Sequence, residues 1–180
     1  MRIIAGKLKG RKLTGPKGNQ FRPTLDRVKE SIFNVLGEDI IGSRVLDLFC
    51  GSGSLGIEAI SRGARRTTFV DSDNEVLEIA RSNASSMGVE FESAFYPKDV
   101  FEYIQQLPMA DFNIIMADPP YEKMYGTKLC EYIAKYNTLT NGGIFIIERF
   151  KKDKPETTGF KLVKKLEFGQ TEVDFYIRED

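Results

Sequence analysis

Two short stretches of this chain carry residue types that do chemistry. The first, Val45-Leu46-Asp47-Leu48-Phe49-Cys50-Gly51-Ser52-Gly53-Ser54-Leu55-Gly56, leads an apolar segment holding one acid into a glycine-rich turn. The second, Asp118-Pro119-Pro120-Tyr121, sets a carboxylate and an aromatic ring on either side of a stiff proline pair. Gly51 and Gly53 let the backbone turn tightly and approach a ligand, and Gly56 lets the following helix lie close to the strand. The prolines hold the Asp118 side chain and the main-chain carbonyls in place. Such an acceptor pair suits a planar exocyclic amine, which has two hydrogens to donate and a lone pair delocalised into its ring. The residues describe a cofactor site beside an amine-binding site.

Gly51-x-Gly53-x-x-Gly56, with Asp71 at the end of the next apolar run (Thr67 to Val70), satisfies the dinucleotide fingerprint. By itself that pattern fits a nicotinamide cofactor and S-adenosylmethionine equally. Asp47, four residues before the first glycine, favours the second. A pyrophosphate at the helix N-terminus would be repelled by a nearby carboxylate. S-adenosylmethionine has no phosphate and carries an ammonium and a sulfonium, which Asp47 suits directly or through water. Asp71 is then expected to accept hydrogen bonds from the ribose hydroxyls, with Phe49 and Ser72 beside it in the cofactor set. Asp118 and the Pro119 carbonyl would orient the amine and favour the positive charge that develops as nitrogen attacks a methyl group. Tyr121 offers a face for the base to stack on.

These residues need elements to hold them. Val45 to Leu48 reads as a buried parallel strand, and the helix after the glycines stops at Gly63. Phe112 to Ala117 is a second buried strand, ended by prolines that cannot continue a ladder. A helix is expected from Thr24, a candidate cap, with Val28, Ile32, Phe33 and Leu36 on one face. Ser72 with Glu75 resembles a capping box opening a helix through Val76, Leu77, Ile79 and Ala80. Alternation continues through Glu90 to Ala94, Asp99 to Leu107, Tyr125 to Tyr136 and Ile144 to Glu148. Lys151 to Gly159 reads as a polar connector. Phe160 to Phe168 and Thr171 to Ile177, joined by Gly169-Gln170, read as an antiparallel hairpin. The expected architecture is a three-layer α/β sandwich of seven mostly parallel strands, the last one antiparallel, with ligands bound beyond the carboxyl ends at the switch in strand order.

The chain of 180 residues has no net charge, yet residues 1 to 30 hold nine Lys or Arg against two acids, a local balance of plus seven. Ile3, Ile4, Leu8 and Leu13 alternate with these charges and read as short strands with glycine turns, where RNA phosphates are expected to land. A chain that is 41% hydrophobic can bury one core. No run is apolar enough to span a bilayer, and no signal peptide is expected, so no membrane partner is anticipated. Cys50 and Cys130 imply no disulfide framework and a reducing, cytoplasmic setting. The absence of histidine removes the commonest general base and metal ligand, and no metal is expected.

On Arg2-Ile-Ile-Ala-Gly6 with Gly10-Arg-Lys-Leu13, on Arg22-Pro-Thr-Leu-Asp-Arg-Val-Lys-Glu30, on the glycine turn and on Asp118-Pro-Pro-Tyr121, the chain resembles the class I S-adenosylmethionine methyltransferases with their Rossmann-like fold, and within them the bacterial RsmD family. The Arg-Pro-Thr segment is the most specific of these. The resemblance covers nearly the whole length. It implies methylation of the exocyclic N2 of a guanine in 16S ribosomal RNA, within a small-subunit particle. It divides the chain into a basic hairpin arm, residues 1–23, and a methyltransferase domain, residues 24–180. Arg2, Lys7, Lys9, Arg11, Lys12, Arg22, Thr24 and Arg27 become the expected RNA contacts. The family's adenine-contacting acid falls on Asp99, with Val100, after an intervening Phe95-Tyr96-Pro97-Lys98. The Asp-Pro-Pro-Tyr motif would also serve a DNA adenine or protein glutamine methyltransferase. The glycines alone would serve a dehydrogenase, and the arm a non-catalytic RNA-binding module.

Overall fold

Apolar residues at helical spacing bury one face of α1 (Asp26–Leu36), in a computed structural model that describes residues 1–16 and 26–179. Arg22 and Thr24, the expected cap, lie outside the described residues. Strands and helices then alternate: β1 (Arg44–Leu48), α2 (Ser54–Ser61), β2 (Arg66–Asp71), α3 (Asn74–Met87), β3 (Ser93–Pro97), α4 (Val100–Gln105), β4 (Phe112–Ala117), α5 (Gly126–Lys135) and β5 (Leu139–Phe150). The chain ends in the hairpin β6 (Phe160–Phe168) and β7 (Thr171–Arg178).

The seven strands form one sheet in the order β3-β2-β1-β4-β5-β7-β6. β1 to β5 are parallel, and β7 inserts antiparallel between β5 and β6. Strand order reverses between β1 and β4, which opens a crevice at their carboxyl ends. The period of two in β1 sends Leu46 and Leu48 to the face covered by α4 and α5, and Val45 to the face covered by α1. A third cluster joins Ile3, Leu8 and Leu13 to Ile57, Ile60, Leu77 and Ala84 of α2 and α3. No helix among the described residues is long and apolar enough to cross a membrane.

Three local expectations shift. The short strands expected in the N-terminal segment reduce to one antiparallel bridge, Arg2 with Lys12. Ile3 N to Arg11 O at 2.9 Å and Leu13 N to Met1 O at 3.1 Å close that hairpin, and further donors turn to α2 beneath: Lys7 N bonds Ser61 O at 2.8 Å, and Ile4 N and Ala5 N bond the Glu58 carboxylate at 2.8 and 3.0 Å. β3 starts at Ser93 instead of Glu90, because α3 ends in a left-handed Gly88 and Glu90–Glu92 make a 3-10 turn before the strand meets its register on β2. The cap of α3 is Asp73 and not Ser72: its Oδ1 accepts from Glu75 N at 2.9 Å and Val76 N at 3.2 Å.

Candidate active site

The carboxyl ends of four strands meet. Leu48 pairs with Val70 of β2 and Ala117 of β4, and Asp71 with Pro97 of β3. Beyond the strands, Cys50 N bonds Val70 O at 3.2 Å, Lys98 N bonds Asp71 O at 3.1 Å, and Asp118 N bonds Leu48 O at 3.4 Å. The glycine turn, Asp71, Asp99 and Asp118 therefore stand along one edge, two of them on chain segments tied directly to the end of β1.

Carboxylates organise the turn. Asp47, 1% exposed, accepts the Gly56 N–H on Oδ2 at 2.8 Å and so braces the first turn of α2. Asp71 accepts Gly51 N at 3.0 Å and Asp73 N at 3.0 Å, one on each oxygen. Each oxygen keeps a further lone pair. At Gly56 an added Cβ would lie 2.2 Å from the Phe69 ring, so only glycine lets α2 approach β2 this closely. Gly51, at φ 53°, has open space where its Cβ would point. Asn83 of α3 donates to Ser52 O at 3.0 Å and to Thr14 O at 2.9 Å, fastening the turn to the N-terminal segment.

Burial pushes the Asp47 carboxyl up to about 7, against the pull of the Gly56 N–H, and the neighbouring Asp71 charge raises it further. A carboxylate so enclosed acts on a bound cation through its field or one water. Three acids, Asp47, Asp71 and Asp99, surround the turn and its flank. That donor set fits an ammonium, a sulfonium and ribose hydroxyls, and would repel a pyrophosphate.

Phe49 adopts φ 56°, unusual for a bulky residue, and its ring is held by Tyr125, stacked at 5.8 Å, and by the edge of Phe101 at 6.4 Å. Asp99 caps α4 through Oδ1, which accepts Phe101 N at 2.9 Å and Glu102 N at 3.1 Å. Val100 buries its side chain in the core, so only its main chain faces the crevice edge. Ser72 is exposed beside Asp71.

On the other side of the switch, Asp118 is half-buried, Pro119 is buried, and Tyr121 opens a 3-10 turn to Lys123. The Pro120 carbonyl accepts Lys123 N at 3.1 Å. The Tyr121 hydroxyl donates to Glu148 Oε1 of β5 at 3.1 Å, and its ring leans on Phe150 at 6.4 Å. The expected polar connector after β5 is a strap: buried Asp153 accepts Gly126 N at 2.9 Å, supplying the cap that Tyr125 does not give α5. Arg149 holds the strap from below through the Asp153 carbonyl and pairs with Asp174 at 2.7 Å.

The basic residues separate. Lys7 pairs with Glu92 at 3.0 Å, and Arg11 donates to the Ser86 and Met87 carbonyls at the end of α3. Lys7 also adjoins Ser61, a whole α2 length below the glycine turn, about 12 Å. Arg2 pairs with Asp26 at 3.2 Å, while Lys9 and Lys12 are exposed. Arg27 instead lies over the Phe168 ring at 5.4 Å, at the carboxyl edge of the sheet.

Sequence reasoning passed over five organising residues: Lys29, Glu58, Asn83, Glu148 and Asp153. Lys29 is fully buried, donating to Arg2 O at 2.6 Å and Ser54 Oγ at 3.1 Å, with Glu58 Oε2 at 3.6 Å. Burial lowers its pKa, with Glu58 opposing. A signal existed for this pair. Lys29 falls on the apolar face of α1, and Glu58 sits inside an otherwise uncharged helix. No local pattern announces Glu148 or Asp153, whose partners lie 27 residues away in sequence.

The model of the family described as Conserved hypothetical protein 95 matches residues 1–177. The Ribosomal RNA small subunit methyltransferase D of Haemophilus influenzae is 35% identical over 160 residues, covering 88% of this chain and 82% of that protein. The candidate rRNA methyltransferase YlbH of Bacillus subtilis is 37% identical over 180 residues, 98% of each. Among solved structures, the candidate methyltransferase yhhF of Escherichia coli superposes with a TM-score of 0.89 at 29% identity, covering 99% of this chain and 98% of that one.

Proposed function

On the premise that this chain belongs to the Conserved hypothetical protein 95 family, the RsmD family, we propose that it is an S-adenosylmethionine-dependent rRNA methyltransferase acting on the exocyclic N2 of a guanine in 16S ribosomal RNA. The observation that carries this reading is the bond from Asp118 N to Leu48 O at 3.4 Å. It sets the acceptor for an amine beside the turn that suits a sulfonium.

S-adenosylmethionine, when bound, supplies a methyl group activated by its positive sulfur. Asp71 accepts hydrogen bonds from the ribose hydroxyls with its remaining lone pairs, and Gly51 leaves the turn free of a side chain in their path, while Gly53, whose Cβ would lie 3.1 Å from Ala80, lets the turn pack on α3. Asp99 Oδ1 is occupied by its helix, which leaves Oδ2 for the adenine amine, beside the Val100 N–H. Asp47 contributes negative potential from behind the turn, and Phe49 and Ser72 border the same pocket.

The Asp118 carboxylate and the Pro119 carbonyl accept the two amine hydrogens of guanine and turn the nitrogen toward the methyl carbon. Asp118 would stabilise the positive charge that grows on that nitrogen as it takes the methyl group. The extra proton then leaves to Asp118 or solvent. Tyr121, steadied by Glu148, offers its ring to the base, and Pro120 keeps the loop extended. A paired target must first flip out, at a cost of a few kcal/mol. Arg2, Lys9 and Lys12 of the N-terminal segment add phosphate contacts, with Lys7 and Arg11 more distant. The substrate is the rRNA within a small-subunit particle, modified in the cytoplasm.

Mass spectrometry of 16S rRNA nucleosides from cells with and without the gene tests this. A loss of N2-methylguanosine, restored by the wild-type gene, is expected. Unchanged rRNA together with missing methyladenine in DNA would overturn it.

A further inference from the structure

Beside Tyr121, aromatic rings and cations share one rung of the sheet. Phe150 of β5 pairs with Thr171 of β7, and Thr171 with Phe168 of β6. Paired residues on adjacent antiparallel strands project from the same face. The two residues therefore stand on one side, two strand spacings apart, about 9.5 Å. That side is the α1 face, since Phe168 packs against the cluster holding Val28, Ile32 and Phe33. A cation sits over each ring: Lys152 Nζ lies 5.8 Å from the Phe150 centroid, and the Arg27 guanidinium carbon 5.4 Å from that of Phe168. Tyr121 continues the row, 6.4 Å from Phe150.

Phe150 and Phe168 are half-buried, and Lys152 and Arg27 are exposed. Among the described residues neither cation is ion-paired; each partners a ring. Lys151, the adjoining cation, does pair, with Glu167 at 2.7 Å. Lys152 sits on the strap that Asp153 pins to α5, so its backbone is already ordered before any ligand arrives. The row is thus rigid, partly open, and adjacent to the proposed target base.

Resting on the reading of this chain as an rRNA methyltransferase, we infer that Tyr121, Phe150 and Phe168 with Lys152 and Arg27 form a cradle for single-stranded RNA flanking the target guanine. Aromatic faces hold successive bases without regard to sequence, and cations between them meet the phosphates. A flipped guanine leaves its neighbours in need of such surfaces. Phe150 and Phe168 take the neighbouring bases, and Lys152 and Arg27 the phosphates.

Equilibrium binding of small-subunit particles carrying unmethylated 16S rRNA across a salt series, with S-adenosylmethionine affinity and methyl transfer to that rRNA measured on the same proteins, tests the cradle. Phe168→Leu keeps an apolar contact with α1 but removes the stacking face. It is expected to weaken RNA binding by roughly five- to a hundredfold, with an unchanged salt slope. Lys152→Ala is expected to flatten that slope by about 0.7. Phe168→Tyr retains the ring and should bind RNA as the wild type does; a loss as large as that of Phe168→Leu would mean that packing, not stacking, is at stake, and would overturn the cradle. If the wild type methylates 16S rRNA while Phe168→Leu and Lys152→Ala bind it normally, the cradle is wrong and the proposed function stands. If the wild type transfers no methyl group to rRNA, the function fails and the cradle with it.

Discussion

On the β1–β2 side of the crevice, acids are turned inward to hold backbone: Asp47 grips Gly56 N at 2.8 Å and Asp71 grips Gly51 N at 3.0 Å. On the β4–β5 side, side chains and rings are held by other side chains, as Tyr121 is by Glu148 and Phe150. The first arrangement presents a small, fixed surface to a small ligand whose shape never varies. The second presents a broader surface of rings and charges, suited to a polymer that must be bent into place. Damage to the first side should therefore appear in stability and cofactor affinity, and damage to the second in turnover and RNA affinity.

The largest expected effect tests how firmly the first side is built. Lys29→Met removes the buried ammonium that faces Glu58 at 3.6 Å, leaves Arg2 O and Ser54 Oγ without their donor, and should destabilise the protein by about 3 to 5 kcal/mol, read from the denaturant midpoint. A loss under about 1 kcal/mol would show that Arg62, 2.8 Å from Glu58, suffices to neutralise it. Next comes Asp118→Ala, expected to lower kcat by about a hundred- to a thousandfold in single turnover, while calorimetry finds S-adenosylmethionine affinity within about twofold of wild type. If affinity fell with the rate, the two sides would not be separable.

Asp71→Ala should do the converse, weakening S-adenosylmethionine by about 1.5 to 3 kcal/mol, because the substitution removes both a hydrogen-bond acceptor for the ligand and the anchor of Gly51. A pH series sharpens the role of Asp47. Its carboxyl lies at about 7 in the free protein, above its unfolded value. Its contribution to stability is thus present at acid pH and is lost as pH rises toward 7. A cationic ligand favours the ionised form, so affinity should rise with pH through that range, by at most about tenfold per unit. Asp47→Asn should flatten the rise, and an unchanged profile would remove Asp47 from cofactor binding. The smallest effect is expected from replacing Lys7, Lys9, Arg11 and Lys12 with alanine. The salt slope of RNA binding should fall by about 0.7 to 0.9 for each phosphate that these side chains neutralise in the wild type, with cofactor affinity untouched. A drop of about 2.8 to 3.6, the loss of four phosphate contacts, would return the main RNA surface to the N-terminal segment.

The helix and strand alternation was legible because periodicity is local: Val28, Ile32, Phe33 and Leu36 bury one face of α1, and Phe160–Phe168 and Thr171–Arg178 pair around Gly169. The glycine turn was legible for the same reason, since Gly56 packs against Phe69 only 13 residues on. Element ends were less so. The sequence points to Ser72 as the cap of α3, whereas the side chain that accepts from Glu75 N and Val76 N is that of Asp73.

Long-range contacts decided what spacing alone does not carry. The basic N-terminus reads as one surface in sequence, but Ile3, Leu8 and Leu13 fold it onto α2 and α3, which carries Lys7 and Arg11 away from the crevice, while Arg27 lies over Phe168 at the carboxyl edge of the sheet. Lys151 to Gly159 reads as a mere connector, yet Asp153 makes it the cap of α5. Sequence by itself determined which residues bear the chemistry and the order of elements that carry them, because side-chain type and hydrophobic period are properties of neighbours in the chain. Only the tertiary structure decided which charges are buried, which are sequestered and which border Asp118, because each of those depends on partners brought close by a sheet whose strand order is not the order of the chain.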